Sequence, residues 1–238
     1  MLMRKPRAFA EVYNDLDDDV VNVFRIMRDP EQAAALGKLI ELTPWSRTEF
    51  FASYNEADNH LEKARRTIVR SLMGFGTTGQ MLNRTGFRGK CERANNTGVA
   101  DFQNYPGAIE GFVRRLKGVV IENRRAIDLI KAQDDEDTLF YVDPPYPHSS
   151  RTSLRSAADF GRCYKHEMHN IEHRQLGELL TLVRGMVVVS GYHCDLYDNE
   201  LFADWKCVEK NTHADGGKKR VECLWLNRSA VKNLRVPA

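Results

Sequence analysis

The sequence predicts an α/β protein whose sheet is mainly parallel and covered by helices on both faces. From Val119 onward, short apolar runs alternate with segments of helical periodicity, as in proteins with parallel sheets. The last part of the chain, WKCVEKNTHADGGKKRVECLWLN, instead shows two alternating strands around Gly216 and Gly217, the pattern of an antiparallel hairpin. With 238 residues, 42% of them hydrophobic, the chain can fill a sizeable core.

The predicted elements follow a simple order along the chain. Short apolar runs predict strands at AFAEVYND, VVIE, TLFYVD and MVVVSGY. Apolar residues at helical spacing predict helices over residues 17–28, 31–41, 58–73, 124–132 and 170–184. A polar, basic stretch with Gly and Asn clusters interrupts this regular pattern. We therefore predict one domain formed by residues 1–41 and 119–238, with an inserted region at 42–118.

Composition excludes several classes of protein. No apolar run approaches the roughly 20 residues of a membrane-spanning helix, and the N-terminus lacks the apolar run of a signal peptide, so we expect a cytoplasmic protein with no membrane contact. The five cysteines are widely spaced, without CxxC pairs, and predict neither disulfides nor a zinc site. The spacing of His166, His169 and His173 fits the N-terminal surface of a helix better than a metal site, so no metal is predicted.

The stretch TLFYVDPPYP places Asp143, Pro144, Pro145 and Tyr146 directly after an apolar strand. Ligands in open α/β sheets bind beyond the carboxyl ends of the strands, where Asp143 falls. The prolines stiffen the loop and leave their carbonyl oxygens as acceptors. Two acceptors and an aromatic ring suit a flat heterocycle with an exocyclic amine, such as a base taken out of its duplex. The simpler alternative is an Asp-Pro turn after a buried strand.

This tetrad resembles motif IV of the amino-methyltransferases, and within them the Dam-like class of DNA adenine-N6 methyltransferases. Other segments match the order and spacing of the phage and bacterial members: EVYNDLDDDVVNVFRIMRDP, RSLMGFGTT, NRTGFRG, VVVSGY and RVECLWLN. The resemblance covers essentially the whole chain. It implies a Rossmann-like methyltransferase sheet, S-adenosylmethionine as cofactor and double-stranded DNA as partner.

The resemblance also implies roles for individual residues. Asp15 matches the acidic residue that holds the ribose hydroxyls of S-adenosylmethionine, with a solvated turn acid as the alternative. Asp143, Pro144, Pro145 and Tyr146 match the catalytic tetrad. In that tetrad Asp143 also contacts the cofactor and, with the Pro144 carbonyl, orients the target amine. Positioning then supplies most of the catalysis.

The inserted, mostly helical region 42–118 corresponds to the target-recognition region of the family. Within NRTGFRGKCERANN, basic residues are interleaved with an aromatic residue, and four are predicted to bind DNA: Arg84, Phe87, Arg88 and Lys90. The basic residues of the helix predicted over 58–73 fit either a DNA contact or a solvated face: Lys63, Arg65, Arg66 and Arg70.

Two residues of the VVVSGY strand also match the family. Ser190 and Tyr192 correspond to a strand-end motif that lines the pocket for the target base, and we predict that they contact DNA. A buried strand followed by a turn would have the same sequence pattern.

The beginning of the sequence departs from the family pattern. Relatives carry a strand and a Phe-x-Gly-x-Gly loop before the first segment matched here, and we expect both to be missing. The alternatives are a start codon placed too far downstream, an upstream polypeptide that supplies the loop, and a decayed remnant. We therefore predict a site-specific adenine methyltransferase, or else a catalytically inactive remnant that only binds DNA. An RNA or protein amine methyltransferase is a third alternative, which the large basic region disfavours.

Overall fold

The first half of the chain is mainly helical, and the second half is built around a sheet. A computed structural model describes residues 1–75, 84–89, 97–150, 165–213 and 219–234, which fall into two units, Met1–Arg124 and Arg125–Ala238. The described α-helices are α1 (Asp18–Met27), α2 (Pro30–Glu41), α3 (Arg47–Ala52), α4 (His60–Met73), α5 (Thr97–Leu116), α6 (Ala126–Gln133), α7 (Asn170–Leu182) and α8 (Arg228–Lys232). The described strands are β1 (Glu11–Asn14), β2 (Val119–Glu122), β3 (Leu139–Val142), β4 (Met186–Gly191), β5 (Lys206–His213) and β6 (Lys219–Leu226).

The first unit packs its five described helices around one apolar core. Side chains from α1 to α5 meet there, with Leu36, Phe50 and Val69 fully buried. Beside this core, β1 and β2 pair in parallel, with Glu11 opposite Val119. The helix starts follow from capping residues, because the side chains of Asp17, Asp29, Ser46 and Asn59 accept hydrogen bonds from the first backbone N–H groups of α1 to α4.

Helices α3 and α5 were not predicted: one helix was expected in residues 42–118, whereas the described part of this region contains three. Helix α5 is the longer of the two. This helix contains Pro106 together with Gly98, Gly107 and Gly111, residues that normally disfavour a helix interior. The buried residues Phe102 and Ile109 tie α5 to the core, and this tertiary packing outweighs the local preference. Gly118 follows the helix with φ of 85°, a conformation that other residues rarely adopt.

A buried acid links β1 to α5. Glu11 accepts two hydrogen bonds from the Arg115 guanidinium, at 2.7 and 2.9 Å, and also pairs with Lys5. The hydrogen bonds from Arg115, with those from Lys5, hold the pKa of Glu11 well below its usual range. The carboxylate therefore stays ionised although Glu11 is only 7% exposed.

The second unit contains a mixed four-stranded sheet in the order β3-β4-β6-β5. Strands β3 and β4 are parallel, β6 is antiparallel to β4, and β5 and β6 form the predicted antiparallel hairpin, whose turn at 214–218 lies outside the described residues. Leu180 of α7 packs with Val187, Val189 and Trp225 in the core of this unit. The α/β class and the hairpin are confirmed, whereas the complete Rossmann-like sheet and the inserted region remain predictions.

Candidate active site

Asp143 lies at the carboxyl end of β3, directly beside the end of β4. The parallel register pairs Val142 with Val189, so the next residues, Asp143 and Ser190, are neighbours. The hydroxyl of Ser190 donates a hydrogen bond of 2.8 Å to Oδ1 of Asp143. Ser190 is buried whereas Asp143 is exposed, so a buried donor fixes an acid that solvent or a ligand can reach. No described residue donates a hydrogen bond to Oδ2 of Asp143.

Two aromatic rings after β3 and β4 contact each other, and an arginine of β6 contacts one of them. The rings of Tyr146 and Tyr192 meet edge to face, with centroids 4.8 Å apart. Tyr192 follows β4, and its ring also contacts the guanidinium of Arg220, which lies 5.0 Å from the ring centroid. The strand register places four of these residues on one face of the sheet. Ser190 pairs with Leu224, and Tyr192 and Arg220 lie an even number of positions from Ser190 and Leu224, so their side chains project from the same side. Asp143 is the neighbour of Ser190 at the end of β3 and shares that side.

The opposite face of the sheet is apolar and holds Tyr197 in the core. Tyr197 is 2% exposed and its hydroxyl lies 2.9 Å from Nδ1 of His173. Burial raises the pKa of Tyr197, with smaller contributions from Cys194 and Asp143, so the phenol stays neutral. His169 is exposed at the N-cap of α7, in agreement with the predicted helix surface. For His173 that prediction is wrong, because its side chain is buried in the core.

In the first unit, Asp15 follows β1 and is half-buried. Its Oδ1 accepts a hydrogen bond of 2.9 Å from the Asp17 backbone, and its Oδ2 accepts one of 3.1 Å from the Tyr13 hydroxyl. A carboxylate offers about four lone-pair positions, so each oxygen retains acceptor capacity. This arrangement fits a residue that binds two ribose hydroxyls.

The residues predicted to bind DNA in the first unit differ in their surroundings. Arg84 is exposed, with its guanidinium 5.6 Å from the centroid of the Tyr54 ring. Phe87 packs against the core beside Trp45, and Nε of Arg88 donates a hydrogen bond of 2.6 Å to the carbonyl of Gly74. Lys90 lies outside the described residues.

The protein family was established by comparison. Residues 4–205 match the family described as D12 class N6 adenine-specific DNA methyltransferase, and this span contains Asp15, the 143–146 tetrad and Ser190. The chain belongs to this family. Among curated proteins, none matches it.

Members of the D12 class methylate adenine in DNA, so the resemblance to adenine methyltransferases is confirmed. The structure brings together Asp143, Tyr146, Ser190 and Tyr192, which the sequence analysis had named from separate motifs. It adds Arg220, which the sequence analysis missed. Leu224 of β6 pairs with Ser190, and the alternation of β6 places Arg220 on the same face as Leu224. This alternation is the sequence signal that could have identified Arg220. No described helix has both the length and the apolar character needed to cross a membrane.

Proposed function

We propose that this D12 class protein transfers a methyl group from S-adenosylmethionine to the exocyclic N6 amine of an adenine flipped out of double-stranded DNA. The observation that supports it most is the Ser190 to Asp143 hydrogen bond at the ends of two parallel strands. A carboxylate held through one oxygen presents its other oxygen in a fixed direction. Fixed acceptors are what the positioning of an amine requires.

In the proposed reaction, Asp143 Oδ2 accepts one amine hydrogen and the Pro144 carbonyl accepts the other. These two bonds turn the nitrogen lone pair out of conjugation with the base, which makes the amine more nucleophilic. As the N–C bond forms, the methyl–sulfur bond of the bound donor would break, and the amine would release one proton to solvent. Tyr146 stacks on the flipped base, and base stacking of this kind stabilises by about 1 to 3 kcal/mol.

S-adenosylmethionine supplies an electrophilic methyl group when it is bound. We propose that Asp15 holds its ribose hydroxyls, because both carboxylate oxygens of Asp15 keep acceptor capacity. Asp143 is proposed as a second contact to the cofactor, as the family resemblance implies. The domain formed by residues 1–41 and 119–238, with the target-recognition region at 42–118, is part of the same proposal.

The test is methylation of duplex DNA by the purified chain, with methyl-deuterated S-adenosylmethionine and mass spectrometry of N6-methyladenine. We expect label in adenine, and a decrease on the order of 100-fold in Asp143→Ala because the amine is no longer positioned. Glu136→Ala, which removes an exposed acid just before β3, is the matched control and should retain full activity. Undiminished labelling by Asp143→Ala would contradict the proposal.

A second variant tests the contribution of the hydrogen bond from Ser190 to Asp143. Ser190→Ala removes the donor to Oδ1 while leaving both acceptors in place, so we expect a smaller decrease than in Asp143→Ala, mainly in kcat. If the unaltered chain binds DNA but transfers no label, the alternative of a DNA-binding protein without catalysis replaces this proposal.

A further inference from the structure

Three potential metal ligands converge on one face of the β5–β6 hairpin. His193 follows β4, Cys207 lies on β5 and Cys223 lies on β6. The antiparallel register pairs Cys207 with Trp225 and Glu209 with Cys223, so both thiols and the Glu209 carboxylate project from the same side. One ligand atom from each of His193, Cys207 and Cys223 lies within 4.8 Å of the others.

We propose that this cluster binds a zinc ion through the two thiolates, the His193 imidazole and, as the fourth ligand, Glu209. A ligand set of two sulfurs, an imidazole nitrogen and an oxygen binds zinc in preference to magnesium or calcium. Zinc bond lengths of about 2.0 to 2.3 Å place the ligand atoms of a tetrahedral site about 3.5 to 3.8 Å apart. For His193, Cys207 and Cys223 the spacing in the structure therefore requires side-chain movements of about 1 Å.

The imidazole of His193 is already oriented for this role. Its Nδ1 lies 3.0 and 3.1 Å from the two carboxylate oxygens of Asp198, and its Nε2 lies 3.1 Å from Oε1 of Glu209. A carboxylate on one ring nitrogen is the usual support for a histidine that binds metal through the other nitrogen. Asp198 thus holds the proton on Nδ1, and Nε2 faces the two thiols and Glu209.

The burial of the cluster also suits a bound ion. Cys223 is fully buried, Cys207 is exposed, and the His193 ring packs edge to face on Trp225 at 6.1 Å. The site is therefore anchored in the core of the second unit and open to solvent on one side, which gives zinc a route of entry. The simpler alternative is a histidine paired with two acids next to two unrelated thiols.

The proposed site is independent of the methyl-transfer proposal. Cys207, Glu209 and Cys223 lie on the hairpin beyond residues 4–205, which match the D12 class, and only His193 lies within the matched span. Bound zinc would link the end of β4 to the hairpin. Because Tyr192 directly precedes His193, zinc would also restrict the segment that carries this ring.

The experiment measures metal content in the purified full-length chain. The protein is kept reduced, loaded with zinc, freed of excess metal and analysed by mass spectrometry; a parallel sample receives Co²⁺. We expect one zinc ion per chain. We also expect the visible bands of tetrahedral cobalt, with thiolate-to-metal charge transfer in the near ultraviolet. Zinc should raise the thermal unfolding temperature, because it binds only the folded state.

Variants at exposed ligands avoid the folding failure that a change at buried Cys223 could cause. Cys207→Ser and His193→Gln should each lower zinc retention at least about tenfold and abolish the thiolate bands or change them. Cys194→Ser, which alters a neighbouring thiol outside the cluster, is the matched control and should retain zinc. The proposal fails if the reduced chain retains no zinc, or if Cys207→Ser retains as much as the control.

Discussion

Helix α4 and the segment at residues 84–89 both carry closely spaced arginines, yet the two sets meet different partners. In α4, Arg65 pairs with Glu62 and Glu49, at 2.7 and 3.0 Å. Arg70 of the same helix pairs with Asp19 of α1, at 3.0 Å. The other two basic residues that the sequence analysis considered are paired as well: Lys63 with Asp19 and Arg66 with Glu62. The α4 cations therefore join α4 to α1 and α3.

The arginines of the 84–89 segment lie over aromatic rings, and so does Arg70 of α4, at 5.8 Å from the centroid of the Tyr54 ring. Arg84 differs from Arg70 in that it pairs with no carboxylate among the residues that the structure describes. Arg84 lies over Tyr54, and Arg88 lies over Phe75 at 5.8 Å. A ring face attracts a cation without neutralising its charge, so the guanidinium of exposed Arg84 keeps its full attraction for phosphate. A carboxylate partner cancels most of that attraction. We therefore infer that DNA contacts in the first unit involve Arg84 more than the α4 cations.

Arg70→Ala should give the largest effect, and the effect should be on stability. Arg70 and Asp19 are only 11% and 13% exposed, so removing the arginine leaves a mostly buried carboxylate without this partner. We expect a loss of about 3 kcal/mol in the free energy of unfolding, measured in urea. Lys38→Ala is the control, because its pair with Glu41 is 64% and 60% exposed and should contribute less than about 0.5 kcal/mol.

An Arg70→Ala protein with unchanged stability and weakened DNA binding would contradict this distinction. It would show that α4 presents its cations to DNA after all. Equal losses of stability in Arg70→Ala and Lys38→Ala would mean that burial of the pair does not determine its contribution.

Phe87→Ala should give the next largest effect, again on stability. The sequence places Phe87 between Arg84 and Arg88, which suggested a base contact, but its ring packs 5.8 Å from Phe50 and 6.1 Å from Trp45. Because Phe87 is half-buried, its truncation should cost about 2 kcal/mol in unfolding free energy. Phe51→Ala, at a position that is 41% exposed, should cost less than about 1 kcal/mol.

Fluorescence-detected unfolding measures both losses, and DNA affinity is then compared well below the unfolding temperature. If Phe87→Ala weakens DNA binding there without loss of stability, the ring contacts DNA and the original sequence prediction is correct.

Local patterns predicted much of the fold. Alternation and helical spacing located β3, β4, the hairpin, α1, α2 and α4, with bounds within a few residues of those observed. Helix α5 was missed because its glycines and Pro106 mark a loop in any local analysis, and only its buried residues keep it helical. Helix α3, the short π-helix at Leu196–Leu201 and α8 were missed as well.

The candidate sites show the same division between local and distant information. The tetrad after β3 was identified because its four residues are consecutive, whereas Arg220 and the His193, Cys207, Cys223 cluster come from separate segments. The cysteines are 16 residues apart, without a CxxC pair, and only the register of the hairpin brings them together. For the same reason, the sequence contains the acids that pair with the α4 cations but does not show which cation each acid contacts.

Arg84→Ala should give the smallest effect, on DNA affinity alone. Its guanidinium lies over Tyr54 near the surface, so its removal should leave the free energy of unfolding unchanged within about 0.5 kcal/mol. We expect duplex DNA to bind about fivefold more weakly, with the slope of log K against log salt reduced by about 1, because one phosphate contact is lost. Arg84→Lys is the matched control: a lysine preserves the charge and hence the slope. A slope that falls equally in both variants would point to a contact that requires the planar guanidinium, and an unchanged slope in Arg84→Ala would remove this residue from the DNA interface. The α4 cations would then have to be reconsidered, since the aromatic setting of Arg84 would no longer distinguish a DNA contact from an ordinary surface charge.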